Sequence, residues 1–276
     1  GLMSVLELRN VTVERGGRPV VKDVTIAVPA GEVTALLGAN GAGKSSLVLA
    51  VGGVLRPRPG SVSLDGAELA GRRPEKIRAA GLAIVPEGRR LLPDLSVEEN
   101  LRVATYALSK KAAAEGRARA LELFPGLAQR RGVAARSLSG GEQQMVVLAQ
   151  AIVSRPKFIL IDELSLGLAP VVVNRLIPVI RALTDSGIGV LLIEQFATVA
   201  LGLATGAHVM EGGVIRYSGT AAELRANPEL LRSAYLLRGS QAETADAVAQ
   251  TAIEAVADTE AGAADLTPSE PEHPAG

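Results

Sequence analysis

The sequence predicts an α/β fold built around a parallel sheet, and three observations carry that prediction. Four short, nearly continuous apolar runs, at Val33–Leu37, Leu82–Val85, 158–161 and 190–193, have the composition of strands buried on both faces. Helical patterns separate these runs along the chain, as parallel pairing requires. The first run stops at a glycine-rich segment that opens a helix, Gly38-Ala39-Asn40-Gly41-Ala42-Gly43-Lys44-Ser45.

The elements follow in order. Val5, Leu6 and Leu8 begin a strand that Val11 and Val13 continue, and 24–28 forms another. The stretch 45–51 reads as the helix after the glycine-rich turn. Further helices are expected over 97–108, 112–124, 142–154, 171–184 and 198–204, the fourth kinked or started late by Pro178. From Glu87 to Arg136 there are helix signals and no strand run, which marks a helical insertion, drawn at about 87–155. Near the end of the body, 209–211 and 214–217 flank Gly212-Gly213, a hairpin signal. There is no internal repeat.

Composition removes whole classes of function. The 276 residues are 47% hydrophobic and 21% charged, enough for a buried core without disulfide or metal staples. Cysteine is absent, which excludes thiolate metal sites and a cysteine nucleophile. His208 and His273 are the only histidines, too few for a histidine metal cluster. Aromatics are 2% and Trp is absent, so a stacking platform for nucleic acid is not expected. No apolar run reaches the length of a membrane span, and no secretory signal opens the chain. With Gly1 and Leu2 set aside as an expression remnant, the expected compartment is the cytosol. The net charge of zero hides an asymmetry. The segment 239–276 holds eight acids and no Lys or Arg, so the remaining 29 basic and 21 acidic residues leave the body at +8. That segment reads as a solvated acidic, Ala- and Pro-rich tail, disordered by composition, with a short partner-docking helix as the alternative.

Three motifs carry chemistry. Residues 38–45 fit G-x-x-x-x-G-K-[ST] between a strand and a helix, the setting that motif demands. Glycines let the backbone close tightly round an anion, and its N–H groups and the helix start point at phosphate oxygens. Lys44 can reach the β- and γ-phosphates, and the Ser45 hydroxyl can ligate Mg²⁺. The apolar run 158–161 ends in Asp162-Glu163. One carboxylate at the strand tip can serve a metal's water shell, while the next points elsewhere and can polarise an attacking water. Leu138-Ser139-Gly140-Gly141-Glu142 precedes an apolar-periodic helix; Ser139 and Glu142 fit a capping box, and the two glycines add a second anion-binding helix start. Tyr217, Tyr235 and His208 read as packing residues, and Arg89-Arg90 as solvated.

The order of these motifs resembles the ATP-binding cassette (ABC) ATPase family over residues 5–239. The resemblance implies a P-loop NTPase core with a mixed sheet, an N-terminal antiparallel β part and a helical subdomain, all within 3–238. It implies hydrolysis of ATP with Mg²⁺ by two ATPase subunits paired head to tail. Gly38, Ala39, Asn40, Gly41, Ala42, Gly43, Lys44, Ser45 and Ser46 would hold the phosphates. Ser139, Gly140, Gly141 and Glu142 would reach the γ-phosphate of the partner's nucleotide. Asp162 would serve the metal with Ser45, and Glu163 would be the general base.

Departures from the general pattern narrow the resemblance. Glu87 stands where most members have Gln, and is grouped with the metal residues; Gln195 stands where most have the switch His; Leu164 replaces the usual Pro after Asp-Glu. Arg15 or Glu14 stands where an aromatic stacks on adenine, and an Arg plane can do the same. Together with Leu230-Leu231-Arg232-Ser233-Ala234-Tyr235-Leu236, these features resemble the ATPase subunits of branched-chain amino acid importers. The expected partners are transmembrane permease subunits, met through the helical subdomain and the loop at Glu87, and a second ATPase, identical or different. A solute-binding protein enters only indirectly, nucleic acid not at all, and the place is the cytoplasmic face of the membrane. The alternatives are a urea or short-amide importer, a soluble ABC ATPase without a transport role, and a P-loop kinase.

Overall fold

The structure, a computed structural model, describes residues 4–88 and 90–231. The expectations for the tail at 239–276, for Arg89, Tyr235 and His273, and for 232–236 fall outside these residues. The chain begins with a long hairpin, β1 (Val5–Arg15) and β2 (Arg18–Pro29), then β3 (Val33–Leu37) and α1 (Lys44–Val51). Next come β4 (Ser61–Leu64), β5 (Ala67–Glu68), α2 (Pro74–Ala80) and β6 (Leu82–Val85). A helical stretch follows, with α3 (Val97–Ala104), α4 (Lys110–Leu123), α5 (Pro125–Ala128) and α6 (Gly140–Ile152). The chain returns to the sheet with β7 (Phe158–Asp162), α7 (Pro170–Asp185), β8 (Gly189–Glu194) and α8 (Ala197–Leu203). It closes with β9 (Gly206–Glu211), β10 (Val214–Thr220) and α9 (Ala221–Ala226).

Two sheets result. An antiparallel one runs β2-β1-β4-β5, and a six-stranded one runs β10-β9-β3-β8-β7-β6. In the second, β9, β3, β8, β7 and β6 are mutually parallel, and β10 is antiparallel to β9. The mixed α/β architecture with an antiparallel N-terminal part is thus present. Every residue of β3, β7 and β8 is buried, as continuous apolar runs between two layers must be. One core lies between the two sheets and includes Leu6, Leu8, Ile26, Leu36, Leu47 and Leu160. The other lies under α6, α7 and α8 and includes Leu37, Ile161, Leu148, Leu176 and Leu192. Gly116 in α4 is part of that second contact: a Cβ there would sit 1.9 Å from the Val153 carbonyl oxygen, so only glycine lets α4 lie against the end of α6.

Several boundaries differ from the sequence reading. The helix through Pro178 does not start late; it begins at Pro170 and runs to Asp185, one residue beyond the expected 171–184 at each end. Pro178 lies on the solvent side together with Asn174, whose carbonyl it deprives of a partner, so water can take the freed bond. The first helix of the helical stretch ends at Ala104 rather than 108, and Thr105 turns its hydroxyl onto the Arg102 carbonyl at 2.8 Å. Strands β4 and β5 and helices α2, α5 and α9 were not anticipated.

Candidate nucleotide site

The site is built at the carboxyl ends of β3, β7 and β8, where three buried strands release the chain into loops. After β3 the glycine-rich turn folds back and enters α1 through Gly43, whose φ of 110° is in the left-handed region. A Cβ on Gly43 would come within 2.6 Å of the Val20 carbonyl oxygen, so both torsion and space demand glycine. No side chain caps this helix start among the described residues, which leaves its first N–H groups for an anion. Lys44 is 6% exposed and curls over the turn, donating from Nζ to the carbonyls of Gly38 (2.5 Å) and Ala39 (3.2 Å). Its Nζ also lies 3.7 Å from Glu163 Oε1. Burial lowers the Lys44 pKa, opposed by the negative charges of Glu163, Asp162 and Glu194.

Asp162 ends β7 and is 5% exposed. Burial pushes its carboxyl up to about 6, helped by the charges of Glu163 and Glu87; Lys44 and the Glu87 backbone N–H pull the other way. Glu163 leaves the strand with φ 57°, a left-handed conformation that a non-glycine residue adopts only when its surroundings hold it. Its N–H donates to the Ile193 carbonyl at 2.9 Å, and its Oε2 accepts the Gln195 N–H at 3.3 Å.

These residues face a cavity of about 360 Å³. Asn40, Gly41, Gly43, Lys44, Ser45 and Ser46 line it from the turn, Glu163 and Gln195 from β7 and β8, Glu87 from the loop after β6, and Arg15 from the end of β1. Gly38 and Ala39 lie beneath, under the Lys44 ammonium, and Asp162 is buried behind Glu163. The buried carboxyl of Asp162, which feels the charges of Glu163 and Glu87, and the Ser45 hydroxyl on the cavity wall are oxygen donors of the kind a hard divalent cation takes. Among the described residues no group of three or more His, Asp or Glu forms a self-contained metal cage.

The second predicted motif is elsewhere. Ser139, Gly140, Gly141 and Glu142 lie at the start of α6 and are not among the described residues lining the cavity. There the capping box is closed. Ser139 Oγ accepts the Glu142 N–H at 3.3 Å, and Glu142 Oε2 accepts the Ser139 N–H at 2.8 Å. Glu142 Oε1 also stands 3.5 Å from Arg130 Nε, and the Ser139 N–H, first among its partners, holds the Glu142 pKa below its usual value. One chain therefore contains both motifs but joins only the first to the strand-end carboxylates.

Glu194 and Ser165 were not singled out from the sequence. Glu194 is fully buried and receives Ser165 N–H on one carboxylate oxygen (3.0 Å) and Ser165 Oγ–H on the other (2.8 Å). Burial raises its pKa, with Glu163 adding to the rise and the Ser165 bonds opposing it. The available signal was the one that flagged Asp162: a carboxylate closing a fully apolar strand.

A glycine-rich turn entering an uncapped helix, a buried lysine, and an acid pair at the tip of a parallel strand one place removed across β8 define a P-loop nucleoside triphosphatase. The profile of the ABC transporter family matches residues 21–165, more than half of the sequence. The high-affinity branched-chain amino acid transport ATP-binding protein BraG of Pseudomonas aeruginosa is 40% identical over 232 residues, covering 84% of this chain and 99% of that one. A probable branched-chain amino acid transport ATP-binding protein, LivF of Archaeoglobus fulgidus, is 32% identical over 223 residues, covering 79% and 93%. In fold, the chain is similar to the ADP conformation of MJ1267, an ATP-binding cassette of an ABC transporter. The TM-score is 0.78 at 24% identity, over 86% of this chain and 100% of that one. The chain belongs to the ABC transporter ATP-binding family and is an ATPase of that family.

Proposed function

We propose that this ATPase binds Mg-ATP in the 360 Å³ cavity and couples its hydrolysis to uptake of branched-chain amino acids through separate permease subunits. The observation that carries the chemical part is the gathering of Lys44, Glu163 and Gln195 round one cavity, with the buried Asp162 next in the chain to Glu163. The helix start at 43–46 and Lys44 bind the phosphates; to do so, Lys44 exchanges its bonds to the Gly38 and Ala39 carbonyls for phosphate oxygens. Ser45, Asp162 and Glu87 are the residues that would hold Mg²⁺, which would supply positive charge to offset that of the phosphates. Glu163 takes the proton of the water whose oxygen bonds to the γ-phosphorus as the bond to the ADP oxygen breaks. Gln195, a neutral amide, orients the γ-phosphate by a hydrogen bond and carries no proton. Arg15, at the cavity's edge, is the stacking partner for the base.

Partner and solute rest on different support. The α6 start, with Ser139, Gly140 and Gly141, is assigned to the nucleotide of a second ATPase subunit. The helical stretch and the loop at Glu87 are assigned to the permease, supported by the exposed Leu92, Val103 and Tyr106, the last 84% exposed. Among the described residues no helix is long and apolar enough to cross a membrane, so attachment to the cytoplasmic face runs through those subunits. The solute is taken from the names of the relatives, and a urea or short-amide importer is the rival, because an ATPase subunit does not touch the cargo.

Two measurements test the reading. Glu163→Gln should bind ATP as tightly as the wild type while turnover falls by at least a hundredfold; turnover near the wild-type rate removes Glu163 as the base. Deletion of the gene should abolish uptake of labelled leucine and leave urea uptake unchanged; the reverse pattern overturns the solute assignment.

A further inference from the structure

We infer that Glu194 and Ser165 are positioning residues that hold the carboxylate of Glu163 in its working orientation; the inference rests on the reading of Glu163 as the base. Glu194 does not line the cavity and is 0% exposed, so it cannot touch the nucleotide. Its carboxylate is nevertheless engaged on both oxygens by Ser165, two residues after Glu163. Ser165 gives its N–H at 3.0 Å and its hydroxyl at 2.8 Å. A buried carboxylate is costly unless its acceptors are filled, and a residue serving only to pack β8 would be apolar, like Val190 to Ile193 before it.

The placement supplies the purpose. Glu163 adopts a left-handed backbone, with φ 57°, in the middle of a short connection. Upstream, Asp162 is fixed in the sheet ladder opposite Ile193, and the Glu163 N–H is bound to the Ile193 carbonyl at 2.9 Å. Downstream, Ser165 is bound to Glu194. The Glu163 side chain then accepts the N–H of Gln195 at 3.3 Å. Three consecutive residues, Ile193, Glu194 and Gln195, therefore grip the backbone before Glu163, the backbone after it, and its carboxylate.

Steady-state ATPase assays of the full chain test this with Ser165→Ala, Ser165→Thr, Glu194→Ala and Glu194→Gln. Ser165→Ala should lower kcat roughly tenfold, as loss of one bond to a charged acceptor does, with the KM for ATP within about twofold. Ser165→Thr keeps the hydroxyl and should restore kcat to within about threefold. Glu194→Gln keeps an acceptor for the Ser165 N–H and should fall between wild type and Glu194→Ala. Wild-type kcat in Ser165→Ala, or a change confined to KM or to melting temperature, overturns the inference. If Glu194→Ala does not fold, the Ser165 pair decides. Glu163→Gln run alongside separates the two levels. Full turnover in that variant sinks the base itself, whereas a stalled Glu163→Gln with unaffected Ser165 variants sinks only the clamp.

Discussion

Two helices of this molecule begin with glycines and a small hydroxyl residue, yet their starts are in opposite states. At α1 the N-cap is Gly43, which has no side chain, and the described residues leave the first N–H groups uncapped. Buried beside that start are Lys44 and the acids Asp162 and Glu194. At α6 the N-cap is Ser139, and its capping box with Glu142 fills the same positions from within the chain. Around α6 the charges lie nearer the surface and are paired, as in Arg130 with Glu142, and Glu98 with Arg131 and Arg117. The first start is organised to receive an anion, the second to be stable without one. On the proposed function, a single chain presents one receptive helix start and one latent start, which suits a nucleotide that binds to one subunit and is completed by another.

Breaking the receptive start should have the largest effect. Lys44→Ala removes the positive charge proposed to meet the γ-phosphate and leaves the buried acids unopposed, so ATP turnover should vanish in a phosphate-release assay. Unchanged hydrolysis would place the working site elsewhere. Gln195→Ala should cost much less, about 1 kcal/mol or several-fold in kcat, because a neutral amide contributes one ordinary hydrogen bond. A thousandfold loss would make Gln195 as central as an ionisable residue.

The two starts should also answer acid with opposite signs. Asp162 has a folded pKa raised to about 6, above an unfolded value of ~3.9. The folded state therefore binds this proton more tightly, and metal-free protein should gain stability as pH falls from about 6 to about 4. The gain, discounted for partial screening, is on the order of 2 kcal/mol. Denaturant titrations of wild type and Asp162→Asn at two pH values should show that part of the pH dependence disappearing in the variant; equal pH dependence in both would refute it. Glu142, with its pKa lowered by the Ser139 N–H, works the other way: it stabilises above its unfolded pKa, and the effect is lost as pH falls through its folded pKa. Glu142→Ala should accordingly lower stability by about 1 kcal/mol at pH 7.5, the scale of one helix cap, and by less at pH 3.5.

The receptive start was legible in the sequence because its parts are local. The spacing from Gly38 to Ser45, the apolar runs of β3 and β7, and the acids closing β7 are each read within a few residues. The Ser139–Glu142 box is equally local. What escaped was either short or tertiary. β4 is only Ser61-Val62-Ser63-Leu64, and α2 buries Ile77 alone, so neither has enough periodicity to stand out. Glu194 sat in view at the end of an apolar run, but its partner Ser165 is 29 residues away, and no pattern along the chain pairs them. Pro178 misled because its position on the exposed face, which makes it tolerable in α7, depends on how the helix packs.

The contrast between the two helix starts is tested most directly by titrating a fluorescent Mg-ATP analogue into Lys44→Ala and Ser139→Ala, with hydrolysis followed in the same samples. The account predicts that Lys44→Ala loses binding by at least a hundredfold, while Ser139→Ala binds within about twofold of wild type and fails only in turnover. If Ser139→Ala loses binding as severely as Lys44→Ala, the α6 start belongs to the primary site, and the division into a receptive and a latent half is wrong.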